Sequence, residues 1–174
     1  MPANPDPTVH ATQGPAELLH RFEALHAELL DFARACTAEG WQAPTADEGW
    51  GAGVTIHHVG AIHYPVIEQV QAMRDGRPLT VTTMADVERL NAAHVLEHAT
   101  CTPTETIAFL EREAARVRDC LHALADADLA LTADIPFMGG TTTAGRLLQV
   151  VLLDLAAGHL QGARTAGTRL NAPG

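Results

Sequence analysis

Residues 15–36 read PAELLHRFEALHAELLDFARAC, and the spacing of their apolar side chains predicts the first helix of the chain. Six apolar side chains recur at alternating steps of four and three residues: Leu18, Phe22, Leu25, Leu29, Phe32 and Cys36. The charged residues fall between them, so the stretch predicts an amphipathic helix over residues 15–38 that buries one face. Pro15 suits the first turn of such a helix.

Helical signals continue along the rest of the chain. A second helix is expected over residues 55–73, with a kink at Pro65 and an end at Gly76. A shorter helix is predicted at 83–99. Two longer helices are predicted after it: one begins at the capping box Thr102-Pro103-Thr104-Glu105, and the other covers residues 144–170. No stretch alternates with period two, and residues 125–140 are expected to be a connection. The sequence therefore predicts an all-α four-helix bundle, with an additional short helix between the second and third long helices.

Composition restricts the domain organisation and the partners. The 174 residues fit one bundle domain, predicted at 15–174, after a flexible tail at 1–14. A net charge of -10 disfavours binding to nucleic acid or to anionic lipid. Neither an export signal nor a membrane span is recognised, and the three cysteines form no C-x-x-C pair. A cytoplasmic protein is expected.

Histidine is unusually frequent, with 10 residues against 11 Lys plus Arg, and it is a common metal ligand. His94 and His98 stand four residues apart on one helix face, within reach of one ion, and Asn91 shares that face. The pair also spells H-x-x-E-H, a zinc-peptidase pattern that would need Glu97 as base and a carboxylate such as Asp154 as third ligand. A polar corner in which both histidines only form hydrogen bonds is the alternative.

The adjacent His57 and His58 point about 100° apart on a helix, so only one of them is expected to face the core. His159 lies on the apolar stripe of the last predicted helix, where a lone histidine is either a buried core residue or a ligand.

Four stretches together give the chain a resemblance to the DinB-like family of four-helix bundles. They are GWGAGVTIHHVG (49–60), NAAHVLEH (91–98), the helix start TPTE (102–105) and VLLDLAAGHLQGAR (151–164). The resemblance covers most of residues 15–170. It implies a bundle fold and a divalent metal on three histidines, one at the position of His58 and two from an H-x-x-x-H on the last helix.

The chain departs from that pattern at one ligand. His159 matches the second histidine of the pair on the last helix, but the first falls at Leu155, which cannot bind a metal. The third ligand could come from His94, His98 or His63. We expect a zinc or nickel site built from His58, His159 and one or both of His94 and His98. Asn91, His63 and Trp50 are candidates for an adjoining substrate pocket.

Two functions follow from the resemblance. The first is a metal-dependent transferase or isomerase that joins a low-molecular-weight thiol to a small electrophile. The second is a non-catalytic bundle that has lost its metal and binds a small molecule or forms a homodimer. The zinc peptidase of H-x-x-E-H type is a third and weaker hypothesis. A homodimer fits any of them.

Overall fold

The structure, a computed structural model, describes residues 14–169. Its elements, in chain order, are α1 (Pro15–Ala35), α2 (Ala38–Gln42), α3 (Ala52–Asp75), α4 (Met84–His98), α5 (Pro103–Ala123), α6 (Asp126–Leu129), β1 (Thr132–Ile135), a 3-10 turn (Pro136–Met138), β2 (Gly140–Thr143), α7 (Ala144–Leu148), a π-helical segment (Gln149–Leu155) and α8 (Ala156–Arg169). The bundle has four long helical segments, called rods below: α1, α3, α5 and the continuous run from α7 to α8. Because α4 is the short helix between the second and third rods, the predicted fold class is confirmed.

The bundle is held together by the apolar stripe of each rod. α5 packs against both α1 and α3, and α3 also packs against α8 and α4. Leu18, Phe22 and Leu29 of the α1 stripe are buried, as the spacing predicts. α3 is the most enclosed rod, since it meets a neighbour on three sides, and it continues through Pro65.

Hydrogen-bonded caps define where two helices begin. The predicted capping box at α5 is confirmed: the Thr102 amide donates to Glu105 Oε2 at 2.9 Å and the Glu105 amide donates to Thr102 Oγ1 at 3.3 Å. A second capping box joins Thr83 and Asp86 at the start of α4. Each box satisfies backbone donors that a helix start otherwise leaves unpaired. The second box fixes the start of the helix that carries His94.

The connection after α5 contains a β-hairpin that the sequence analysis missed. β1 and β2 pair antiparallel, with Ile135 opposite Gly140. Each strand has four residues, too few for alternation to be recognised in the sequence. Gly139 and Gly140 take φ values of 90° and 114°, which only glycine adopts readily, so they allow the chain to reverse there.

The last rod differs from the single predicted helix over 144–170. A π-helical segment at Gln149–Leu155 separates α7 from α8. Such segments are rare and are found often at functional sites. Here the segment shifts the register of every side chain that follows it, including His159.

Parts of two predictions lie outside the described residues. These parts are residues 1–13 of the predicted flexible tail and residues 170–174 of the predicted domain. Within residues 14–169, no helix combines the length and the hydropathy needed to cross a membrane.

Candidate metal centre

The site begins with the adjacent histidines near the start of α3. Both are buried, at 5% exposure for His57 and 6% for His58. The expectation that only one of them faces the interior is therefore wrong. Because α4, α5 and α8 surround α3, two rings that point about 100° apart both find cover.

His57 meets the two histidines of α4. Its ring centroid lies 4.2 Å from that of His98 and 5.1 Å from that of His94, and the centroids of His94 and His98 are 4.7 Å apart. Phe109 of α5 stacks on the other side of His57 at 4.3 Å, with the planes 7° apart. Three imidazoles from two helices thus lie in contact, and the Phe109 ring packs against one of them.

His58 connects this group to the last rod. Its ring centroid is 5.1 Å from that of His94 and 5.4 Å from that of His159. Trp50, from the loop before α3, packs edge-on against His58 at 5.2 Å. We call His57, His58, His94, His98 and His159 the histidine cluster.

A carboxylate orients His159, the member on the last rod. Glu48 Oε1 lies 3.0 Å from His159 Nδ1, and Thr45 donates a hydrogen bond to Glu48 Oε2 at 3.2 Å. A carboxylate accepting from Nδ1–H fixes the imidazole tautomer, so Nε2 carries the free lone pair. This arrangement is common around histidine ligands of metals.

Burial keeps the inner histidines neutral. Loss of hydration, followed by the charges of neighbouring imidazoles, lowers the pKa of His58 to about 3 and the pKa of His57 to about 4. Burial likewise lowers the pKa of His94 to about 4. These rings therefore offer unprotonated nitrogen atoms at neutral pH, the form that binds a metal.

His57, His94 and His98 fit a divalent ion. One nitrogen of each lies within 4.8 Å of the others, and His57 Nδ1 and His94 Nε2 are buried without a hydrogen-bond partner. The backbone of Val54 forms the other hydrogen bond of His94, so Nε2 is its available atom. Nitrogen ligands at 2.0–2.1 Å from a tetrahedral ion stand about 3.3 Å apart. The three rings would therefore move closer together on binding an ion. His98, whose side chain is 32% exposed, has room to turn.

The structure divides the predicted metal ligands into two groups. His94 and His98 join His57, which the sequence analysis did not select. His58 and His159 lie next to them, but within the described residues they do not form a set of three with ligand atoms this close. Leu155 lines the adjoining pocket at 47% exposure, four residues before His159.

The predicted pocket residues also divide. Asn91 lines a pocket beside the cluster, and Trp50 packs behind it against His58. His63 is not in that pocket: it is 1% exposed and packs edge-on against Phe22 of α1 at 5.3 Å. Its position on α3 places it toward α1 rather than toward α4.

The peptidase arrangement is not formed. Asp154 accepts a hydrogen bond from Gln149 at 2.6 Å and lies 3.9 Å from Arg21 of α1, so its carboxylate belongs to another surface. Glu97 projects outward, with 76% of its side chain exposed.

An apolar pocket of about 610 Å³ opens beside the histidine cluster. It lies between α3, α4, the π-helical segment and the hairpin turn, whose Phe137 and Met138 form one wall. The Phe137 amide donates to the Thr82 carbonyl oxygen at 3.1 Å, which ties that wall to the segment before α4. His58, His94 and His159 face this pocket, so a ligand there would contact the cluster.

The fold and the site together define a four-helix bundle with clustered histidines beside an apolar pocket. The sequence matches the DinB superfamily over residues 21–156, and the chain belongs to that superfamily. No curated protein matches it.

Two solved structures share the fold. YfiT from Bacillus subtilis, described as a probable metal-dependent hydrolase with an unusual four-helix bundle topology, has 17% identity and a TM-score of 0.74, covering 98% of this chain and 95% of its own. An uncharacterised protein from Escherichia coli UTI89 has 12% identity and a TM-score of 0.70, covering 92% of this chain and 96% of its own.

Proposed function

We propose that the chain is a divalent-metal-dependent enzyme acting on a small molecule, with the ion held by His57, His94 and His98. The observation that carries this proposal is the convergence of three imidazoles, one nitrogen of each within 4.8 Å of the others, with buried nitrogens on His57 and His94 that have no hydrogen-bond partner. Three histidines leave a coordination position open. A bound zinc or nickel ion would supply Lewis-acid activation of a water or thiol in that position.

The remaining residues would bind and orient the reactants. His159, whose Nδ1 lies 3.0 Å from Glu48 Oε1, lines the pocket next to His58. The Asn91 amide, on the same face of α4 as His94, can contact a polar group of the substrate. Phe137 and Met138 form an apolar wall of the pocket.

The proposed reaction is transfer of a low-molecular-weight thiol to an electrophile, or a thiol-dependent isomerisation. The description of YfiT as a probable metal-dependent hydrolase favours a second candidate, attack by water. Incubating the zinc-loaded or nickel-loaded protein with an electrophile and an ester, with and without added thiol, separates the two. A product mass that includes the thiol supports transfer, and thiol-independent cleavage supports hydrolysis.

The metal site is tested by the two adjacent histidines, which serve as matched variants because they are equally buried. Untagged protein purified without chelator should contain about one equivalent of metal by mass spectrometry. His57→Ala should weaken binding by at least ~10-fold because it removes one of three ligands, whereas His58→Ala should retain the ion. The reverse result would place the ion at His58 and His159.

Absence of metal after loading with zinc and with nickel would contradict the proposal. It would favour the non-catalytic bundle, which binds its ligand without an ion. A homodimer is also proposed, and sedimentation velocity of the purified chain tests it.

A further inference from the structure

The side chains that line the pocket beside the histidine cluster restrict what the pocket can bind. Most of its lining is aliphatic or aromatic, with contributions from α3, α4, the hairpin turn and the last rod. Met84, Leu90 and Leu155 carry this apolar surface out to the mouth, with exposures of 58%, 38% and 47%. Its volume of about 610 Å³ lies within the ~300–1,000 Å³ of pockets that hold drug-sized ligands.

The formal charge in the pocket lining is negative. Glu97 is the single formally charged residue in its lining, and no arginine contributes to it. Neither lysine nor arginine is among the lining residues, so the pocket offers a carboxylate no side chain with a permanent positive charge. A carboxylate entering this pocket would lose its hydration, meet the negative charge of Glu97 and gain no positive side chain as a partner.

Few polar groups remain for a ligand. Gln69 lines the pocket, but its amide already donates to the Val81 carbonyl oxygen at 2.6 Å and accepts from the Thr80 amide at 3.2 Å. Within residues 14–169, the Asn91 side chain forms no hydrogen bond, and it shares its helix face with His94. One neutral polar group on a ligand can therefore be recognised next to the cluster.

We propose that the substrate is an uncharged, mainly apolar small molecule with a single polar group, which it directs toward Asn91 and the histidine cluster. A carboxylate-bearing molecule, including a thiol that carries carboxylates, does not enter this pocket and would have to reach the cluster from outside it. The inference rests on the proposed function only in calling the bound molecule a substrate.

The test compares two probes that share a carbon skeleton, 4-phenylbutan-1-ol and 4-phenylbutanoate. Titration calorimetry at pH 7.5 on the full chain, in buffer with a chelator, should show the alcohol binding at least about tenfold more tightly. Equal affinities, tighter binding of the carboxylate, or no binding of either probe at millimolar concentration would overturn the proposal.

Two variants of α4 locate the binding. Leu90→Arg places a cation at the mouth and should reduce the preference for the alcohol by at least about fivefold. Leu96→Arg is the matched control, because Leu96 is 83% exposed and outside the pocket lining. It should leave both affinities unchanged, and equal effects of the two variants would show that the probes bind elsewhere.

This experiment is independent of the metal proposal because the chelator removes the ion. Preferential binding of the alcohol together with failure of metal loading would leave the pocket assignment intact and make the chain a binding module. Metal loading without the alcohol preference would retain the metal centre and reject this substrate class.

Discussion

The buried histidine His63 should make the protein sensitive to mild acid. It is 1% exposed, and neither of its ring nitrogens has a hydrogen-bond partner. Burial, with a smaller contribution from the charge of His26, lowers its pKa from 6.5 to about 3. The folded protein therefore keeps His63 neutral at a pH where the unfolded chain protonates it.

The sign and size of the effect follow from proton linkage. Because the pKa is lowered in the folded state, the unfolded state binds more protons below pH 6.5, and stability falls as the pH falls. The share of His63 in this loss between pH 7 and pH 5 is about 2 kcal/mol. That figure hardly changes if the folded pKa moves by one unit, since at pH 5 the folded form is neutral in either case.

His63→Leu should remove this share of the acid sensitivity. The free energy of unfolding is measured from urea titrations at pH 7 and pH 5, followed by far-UV circular dichroism in the presence of a chelator. The loss between the two pH values should be about 2 kcal/mol smaller in the variant than in the wild type. At pH 7 the variant should be at least as stable, because it no longer buries two unpaired polar atoms.

The comparison needs a control, since other histidines also contribute to the acid response of the wild type. His122→Leu changes an exposed histidine of α5 and should leave the loss between pH 7 and pH 5 unchanged. An equal loss in His63→Leu and wild type would refute the reasoning, because a neutral, buried His63 could then not be its cause.

Two further changes test the site and the packing. Leu155→His adds a histidine four residues before His159 on the pocket side and should complete a second three-histidine set with His58, so zinc loading should give about two equivalents by mass spectrometry; a single equivalent would contradict a ligand role for this position. Gly53→Ala should cost about 1–3 kcal/mol in urea unfolding, because its Cβ would overlap the Trp41 indole. Gly158→Ala, with nothing within 4 Å of the added Cβ, should instead gain up to about 1 kcal/mol, and equal effects of the two glycine variants would reject the packing argument.

The bundle could be predicted because its signals are local. The stripe that includes Leu18 and Phe22 repeats over five turns, and the capping box at Thr102 is a four-residue pattern with a direct hydrogen-bonding cause. The hairpin of residues 132–143 has no such signal. Its strands are stabilised by pairing with each other and by the contact between Phe137 and Thr82, which is distant in sequence.

The histidine triad of His57, His94 and His98 was anticipated only in part, for a related reason. The spacing of His94 and His98 shows that both lie on one face of α4, but it does not show which ring of α3 that face meets. His57 and His58 differ by one residue and thus by about 100° around α3. The packing position of α4 selects His57 as its neighbour and leaves His58 between His94 and His159.

In the proposed metal site, this geometry would let the bundle hold an ion without a histidine at position 155. The set implied by the family resemblance uses the face of α3 toward the last rod, where His58 and His159 remain and Leu155 supplies no ligand. The three histidines that converge in the structure lie on the face toward α4, where His57 meets two histidines one turn apart. The two sets share no α3 residue, so His57→Ala and His58→Ala affect them separately. Retention of metal in His58→Ala together with its loss in His57→Ala would therefore place the centre between α3 and α4 rather than on the last rod.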